Sequence, residues 1–225
     1  MFNSVISVFV SMNFFKQGGV FASLPDIFNV LGIILTMFLV PIFMKKIGKK
    51  EIVTAGLIFS SIITFAQIFI ILMPRQASIV PYYLYVGSKF VSGVGVGFFN
   101  SLVWGMIADC SDDMQIKSGI REDGTTYAIL MFSRKVGQCV AFILGQVILI
   151  VINYYTYIKA GETLPESSQN MLYLLATIIS LSCYIAGALL LIFWYPINKN
   201  RLEEIQDAKE LLLEKEAKKV ETSAS

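Results

Sequence analysis

The 225-residue sequence has no histidine, three cysteines and only 15% charged residues. Without histidine it lacks the commonest general base and metal ligand, and no ordinary Ser-His-Asp triad can be assembled. Cys110, Cys139 and Cys183 match no zinc, redox or disulfide spacing, so neither metal catalysis nor a stapled secreted fold is expected. Soluble domains carry about 25% charged residues. Here apolar residues reach 56% and mean hydropathy is +0.68, so a water-facing surface could not be covered. The composition is that of a membrane protein, and the net charge of +2 matters less than where each charge sits.

Crossing about 30 Å of hydrocarbon takes about 20 apolar residues in a helix. Five stretches qualify: Leu24 to Met44, Ile52 to Met73, Ile79 to Ile107, Thr126 to Asn153 and Met171 to Tyr195. Each is bounded by charge, proline or a polar cluster. Before them, Met1 to Phe15 is apolar but short, has no basic start and is followed by a poor cleavage site around Ala22 and Ser23. It reads as a sixth helix shortened at its beginning. Beyond Pro196, residues 196–225 carry mixed charge, with Leu202, Ile205 and Leu212 at helical spacing. The expectation is a helix lying on the membrane or on neighbouring loops, or a solvated tail, ending in a disordered stretch from Glu221 to Ser225.

The basic residues give the sidedness. Lys45, Lys46, Lys49 and Lys50, then Lys117 and Arg121, then the six from Lys199 to Lys219 fall on one side, against Lys16, Arg75 and Lys159 on the other. The positive-inside rule places the first set, with the C-terminus, in the cytoplasm. Three cations, Lys89, Arg134 and Lys135, lie inside spans, where charge is costly and usually faces a protein interior or a wet cavity. Lys135 lies about ten residues, hence roughly 15 Å, along its span from the cytoplasmic start. At 100° per residue, Gln138, Phe142, Gln146 and Asn153 share its side, forming a polar face with one ring in it. Amides and an ammonium suit a hydroxylated ligand, and the ring suits the apolar face of a sugar; the same residues also serve as glue between helices.

On the preceding span Lys89, Asn100 and Trp104 share a face and are candidates to line the same cavity, although Lys89 is near enough to the boundary to snorkel. Arg134 points toward Gly137, Ala141 and Gly145. With Gly93, Gly97, Ser101 and Gly105 on the previous span, those small residues suggest a tight antiparallel pair that brings Arg134 near Asp109. Gly93, Gly95 and Gly97 are no nucleotide loop, since they sit in an apolar run with no strand before them. Asp26 caps the first full span or binds a proton or cation.

The segment from Ala108 to Gln138, ADCSDDMQIKSGIREDGTTYAILMFSRKVGQ, is the most specific in the chain. It resembles the signature of the glycoside, pentoside and hexuronide cation symporters, the melibiose-carrier-like branch of the major facilitator superfamily. Asp109, Asp112, Lys117, Gly119, Arg121, Gly124, Phe132, Lys135 and Gly137 match in register. Asp113, Gln115, Ser118 and Asp123 depart from it, and Gln115 removes a carboxylate. The Pro41 to Lys50 stretch, PIFMKKIGKK, is similar to the basic loop joining paired helices in that superfamily.

The resemblance covers Leu24 to Tyr195 and implies an all-α membrane protein, the C-terminal six-helix half of a major facilitator fold whose first helix is truncated. Such a chain would be a fragment, a truncated product or a separately made half. The implied function is sugar symport by alternating access in a bacterial inner membrane, incomplete without an N-terminal half that binds the coupling cation, H+, Na+ or Li+. No other cofactor, no catalytic residue and no nucleic-acid partner is expected. Lys135 would line the cavity with Gln138, Phe142, Gln146, Asn100 and Trp104; Asn100 replaces an aromatic residue that contacts sugar in melibiose-type members. Asp109, Asp112, Lys117 and Arg121, joined by Arg134, would form a cytoplasmic charge network between the halves. The alternative is a non-transporting membrane partner or sugar sensor that retains the fold.

Overall fold

A computed structural model of the chain describes residues 2–45, 47–73, 79–119, 123–160, 162–197, 201, 202, 204, 205 and 208. Among the described residues seven α-helices follow one another: α1 Phe2–Asn13, α2 Leu24–Met44, α3 Lys49–Ile68, α4 Val80–Ser118, α5 Asp123–Val151, α6 Tyr154–Ala160 and α7 Glu166–Trp194. Short 3₁₀ turns, Gly19–Ser23 and Phe69–Leu72, lead into α2 and extend α3, and no strand occurs among the described residues. Five of these segments are long and apolar enough to cross a membrane: Gly19–Met44, Lys49–Leu72, Val80–Ser118, Asp123–Val151 and Glu166–Trp194.

Local chemistry sets the helix ends. Pro25 and Pro81 sit in the first turns of α2 and α4, where a missing N–H costs nothing. Gly119 ends α4 in the left-handed region at φ 73°, its N–H bonded to the Gln115 carbonyl. A loop is expected from Asp109, but α4 runs on to Ser118. Charge there reports contact with water and not loss of helix, and Lys117 reaches back one turn to pair with Asp113. At 39 residues α4 is about 58 Å long, nearly twice the hydrocarbon depth, so its charged end stands beyond any bilayer core. The helices α3, α5 and α7 start a few residues earlier than hydropathy suggests, at Lys49, Asp123 and Glu166, α2 starts at Leu24 as expected, and the short α6 has no counterpart in the apolar pattern.

The centre of the bundle is α4, clasped by α2 on one side and α3 on another, with α7 against α3. Small residues make the clasp. A Cβ added at Gly93 would stand 2.3 Å from the Asn29 carbonyl oxygen of α2, and one at Gly95 would stand 2.4 Å from the Gly56 carbonyl oxygen of α3. Between the backbones, Thr36 donates to the Gly32 and Val94 carbonyls, Ser60 donates to that of Ser92, and the Tyr173 hydroxyl donates to that of Gln67. These buried hydroxyls are satisfied only if the helices stay in register. The ridge on α4 is therefore used by α2 and α3, and the tight α4–α5 approach expected from spacing is not made at Gly137, where nothing lies within 4 Å of an added Cβ.

Two apolar clusters divide the bundle lengthwise. Val40, Ile52, Val53, Leu57, Leu102, Met106 and Ala188 pack at the end that also carries Lys49, Asp109 and Tyr195, hereafter the basic end. Phe14, Phe15, Tyr82, Tyr85, Leu149, Ile152 and Tyr173 pack at the opposite end, where α1 wedges against α7 and α5. With 12 residues α1 is about 18 Å long, so it covers only that half. In consequence α5 is held at its far end, through Gly145, Ile148 and Leu149, while no residue from Gly124 to Leu144 is buried.

Candidate functional site

The uncovered half of α5 carries most of the polar residues singled out in the sequence. Lys135 is exposed, and its ammonium donates to the Gln138 side-chain oxygen at 3.4 Å. Phe142, one turn on, is exposed. Gln146 is engaged elsewhere, accepting a 2.6 Å hydrogen bond from the Tyr155 hydroxyl of α6, and Asn153 takes a left-handed φ of 55° at the turn after α5. The chain itself therefore presents Lys135, Gln138 and Phe142 on one open helix face and encloses none of them.

Across from α5, Trp104 of α4 stacks on Tyr127 of α5, ring centroids 6.4 Å apart and planes within 23°. The Arg134 guanidinium lies 5.3 Å from the centre of the Trp104 ring. It is thus Arg134, and not Lys135, that meets Trp104; the 100° step between neighbours turns Lys135 away. Asn100 is half-buried one turn before Trp104.

Lys89 belongs to a different place. It is 7% exposed, its ammonium 5.1 Å from the Tyr85 ring centre, so it does not snorkel. In the same region the Asp26 carboxylate accepts a hydrogen bond from the fully buried Ser7 hydroxyl of α1. Asn29 of α2 donates to the Lys89 carbonyl. Asp26 in the first turn of α2 thus ties that helix to α1, and Asn29 ties it to α4, a role for Asp26 that capping by spacing alone does not suggest.

At the basic end, Lys49 of α3 donates to both carboxylate oxygens of Asp109, at 2.7 and 2.8 Å. Lys50 donates to the Tyr195 and Ile192 carbonyls that close α7, at 2.7 and 3.2 Å. Asp113 pairs with Lys117 and, at 2.9 Å, with Arg201, while Ile197 and Ile205 are buried. The segment after α7 thus returns to the end of α4. Of the expected charge network, Asp109 and Lys117 have these partners, Arg134 lies over Trp104, Asp112 is half-buried beside Asp113, and Arg121 lies outside the described residues. Lys49, Lys50, Asp113 and Arg201 were missed as partners because the sequence marks charges without saying which helix ends meet.

Residues 1–199 match the family described as MFS/sugar transport protein. The chain belongs to that family. Five apolar helices in a member of this transporter family make it a multi-pass integral membrane protein. Membership agrees with the resemblance carried by the Asp109–Gly137 signature, and the names of family and relatives are those of transporters and not enzymes. The chain is 28% identical over 186 residues to a protein named "Putative sulfoquinovose importer" from Salmonella typhimurium, and 26% identical over 192 residues to its Escherichia coli namesake. These alignments cover 81% of this chain and 37% of each relative. A glucuronide carrier protein homolog of Escherichia coli is 22% identical over 90% of the chain and 42% of its own length. The chain thus spans well under half the length of the curated relatives it matches. No solved structure matches it.

Proposed function

We propose that this chain forms the C-terminal half of a sugar carrier and supplies one wall of its substrate path. The observation that carries the reading is the open face of α5, where Lys135, Gln138 and Phe142 stand uncovered in a member of a sugar-transport family. A charge roughly 15 Å inside a span needs a polar neighbour, and a wet path shared with a second half provides one. Relatives named for sulfoquinovose and glucuronide transport support a hydroxylated solute of sugar size.

In this reading two six-helix halves rock about a midplane site and admit the solute from one side at a time. The coupling cation, H+, Na+ or Li+, binds in the N-terminal half. The basic end and the C-terminus face the cytoplasm of a bacterial inner membrane, as the clustering of Lys45, Lys49 and Lys50 supports. Lys135→Ala in the carrier completed with its N-terminal half tests the assignment. Loss of one charge-assisted hydrogen bond is worth about 1.5–3 kcal/mol, so uptake should fall roughly 10- to 100-fold while membrane insertion stays normal. Uptake within about twofold of the unaltered carrier would overturn the assignment.

A further inference from the structure

We propose that Gln146 and Tyr155 form a second polar subsite at the far end of the solute path, with Tyr155 positioning the Gln146 amide. The inference rests on the sugar-carrier reading above and lengthens its site. Along α5, Lys135, Gln138, Phe142 and Gln146 follow at steps of three, four and four residues, which keeps them in one strip down the helix. Gln146 comes about 11 residues after Lys135, roughly 16 Å further from the basic end. That distance is longer than one sugar ring, so Gln146 belongs to a separate station on the path. The bare stretch of α5 ends at Leu144. From there the helix is seated, with Gly145, Ile148 and Leu149 buried, so this chain alone holds Gln146 in place.

The sequence after α5 builds the partner. Asn153 takes its left-handed φ of 55°, and its carbonyl accepts from the Thr156 and Tyr157 N–H groups, which turns the chain and starts α6. Tyr154 and Tyr157, three residues apart and so on one side of α6, pack on the far-end apolar cluster, and the Tyr154 ring meets Phe9 of α1 edge to face at 5.5 Å. Tyr155, a 100° step from Tyr154, is left 46% exposed, and its hydroxyl donates to the Gln146 side-chain oxygen at 2.6 Å. An amide carries one acceptor oxygen and an NH2 group with two donors. With the oxygen taken by Tyr155, the amide is oriented and the NH2 group is the part presented to solute. The subsite therefore offers N–H donors to lone-pair atoms such as hydroxyl and acetal oxygens, beside an aromatic ring suited to the apolar face of a sugar. Solute entering from this end meets it before Lys135.

The test is uptake by the chain completed with its N-terminal half, with labelled methyl glucoside and methyl glucuronide as probes. Losing the solute-facing amide in Gln146→Leu should raise KM for the transported probe roughly 3- to 10-fold, with the maximal rate within about twofold of the unaltered carrier. Tyr155→Phe keeps the ring and removes the hydroxyl, so it should free the amide and raise KM by about threefold or more. Added to Gln146→Leu it should change nothing further, because Tyr155 acts through Gln146. A tyrosine that only props α6 would instead lower the maximal rate or the amount inserted and leave KM alone. Saturable uptake whose KM stays within about twofold in both single variants would overturn the subsite and leave the sugar-carrier reading standing. KM effects that add in the double variant would overturn the positioning by Tyr155. No uptake of either probe by the unaltered completed carrier would overturn both readings.

Discussion

Exposure separates the ion pairs of this protein that matter from those that do not. Lys49 and Asp109 keep only 19% and 12% of their side-chain surface, and the ammonium is shared between both carboxylate oxygens. Lys117, paired with Asp113, keeps 63%. An exposed i,i+4 pair contributes about 0.3–0.5 kcal/mol, whereas neighbours sharing a desolvated hydrogen-bonded contact couple by about 0.5–3 kcal/mol. In a double-mutant cycle of Lys49→Met and Asp109→Asn, read as thermal unfolding in detergent, the double variant should therefore be more stable than the two single losses added together. Strict additivity would mean that the contact does not tie α3 to α4. Lys89 is buried between helices, and the same cycle tests whether it is coupled to Asp26. Lys89→Met should cost less in an Asp26→Asn background than alone, by about 0.5–3 kcal/mol; strict additivity would show that Lys89 does not depend on Asp26.

The α2–α4 contact is backbone against backbone, because Gly93 and Gly97 leave no side chain between the helices. A Cβ at Gly97 would stand 2.5 Å from the Thr36 hydroxyl oxygen, closer than real contacts allow. Gly93→Val should therefore push α2 from α4 and cost at least the 1–3 kcal/mol of an overpacked core. Gly137→Val, on the bare stretch of α5, should stay within about 0.5 kcal/mol. Equal melting temperatures for the two variants would mean that α2 does not seat on the Gly93 ridge. This contrast also shows what was legible in the sequence. Long apolar runs dictate spanning helices directly, because backbone groups in hydrocarbon must be paired within the segment. A row of small residues says that some helix approaches closely, but not which one, and so the ridge on α4 was assigned to α5 when α2 and α3 use it. Helix ends were misplaced for a related reason, as with Asp109 to Ser118: hydropathy registers the solvent around a residue, whereas Gly119 and the Asp113–Lys117 pair decide where the helix stops. For the candidate site, the cost of an in-span charge made Lys135 and Arg134 legible, but which of them meets Trp104 depends on how α5 crosses α4.

Packed along both lengthwise halves, a six-span unit would bury every helix on some side, yet here one half of α5 touches little. From Gly124 to Leu144 its apolar residues Ile129, Phe132, Val136, Val140 and Ile143 are exposed together with Arg134 and Lys135, and Gln138 is half-buried. Lipid suits the first group and not the second. A helix with both needs lipid or protein on one side and a polar path on another, and α1 reaches only the far end. In the proposed carrier the polar path is closed off by the N-terminal half, which also holds the coupling cation. The 225-residue chain reconstituted alone should therefore fail to accumulate sugar under a proton, sodium or lithium gradient, because nothing in it would link solute movement to the ion. Co-reconstitution with the matching N-terminal six-helix half should restore uptake, and Lys135→Ala should lower that restored uptake roughly 10- to 100-fold without preventing the halves from co-purifying. Gradient-driven accumulation by the chain alone would mean that its open face is completed in some other way, for instance by a second copy, and that the division of labour between two unlike halves is wrong.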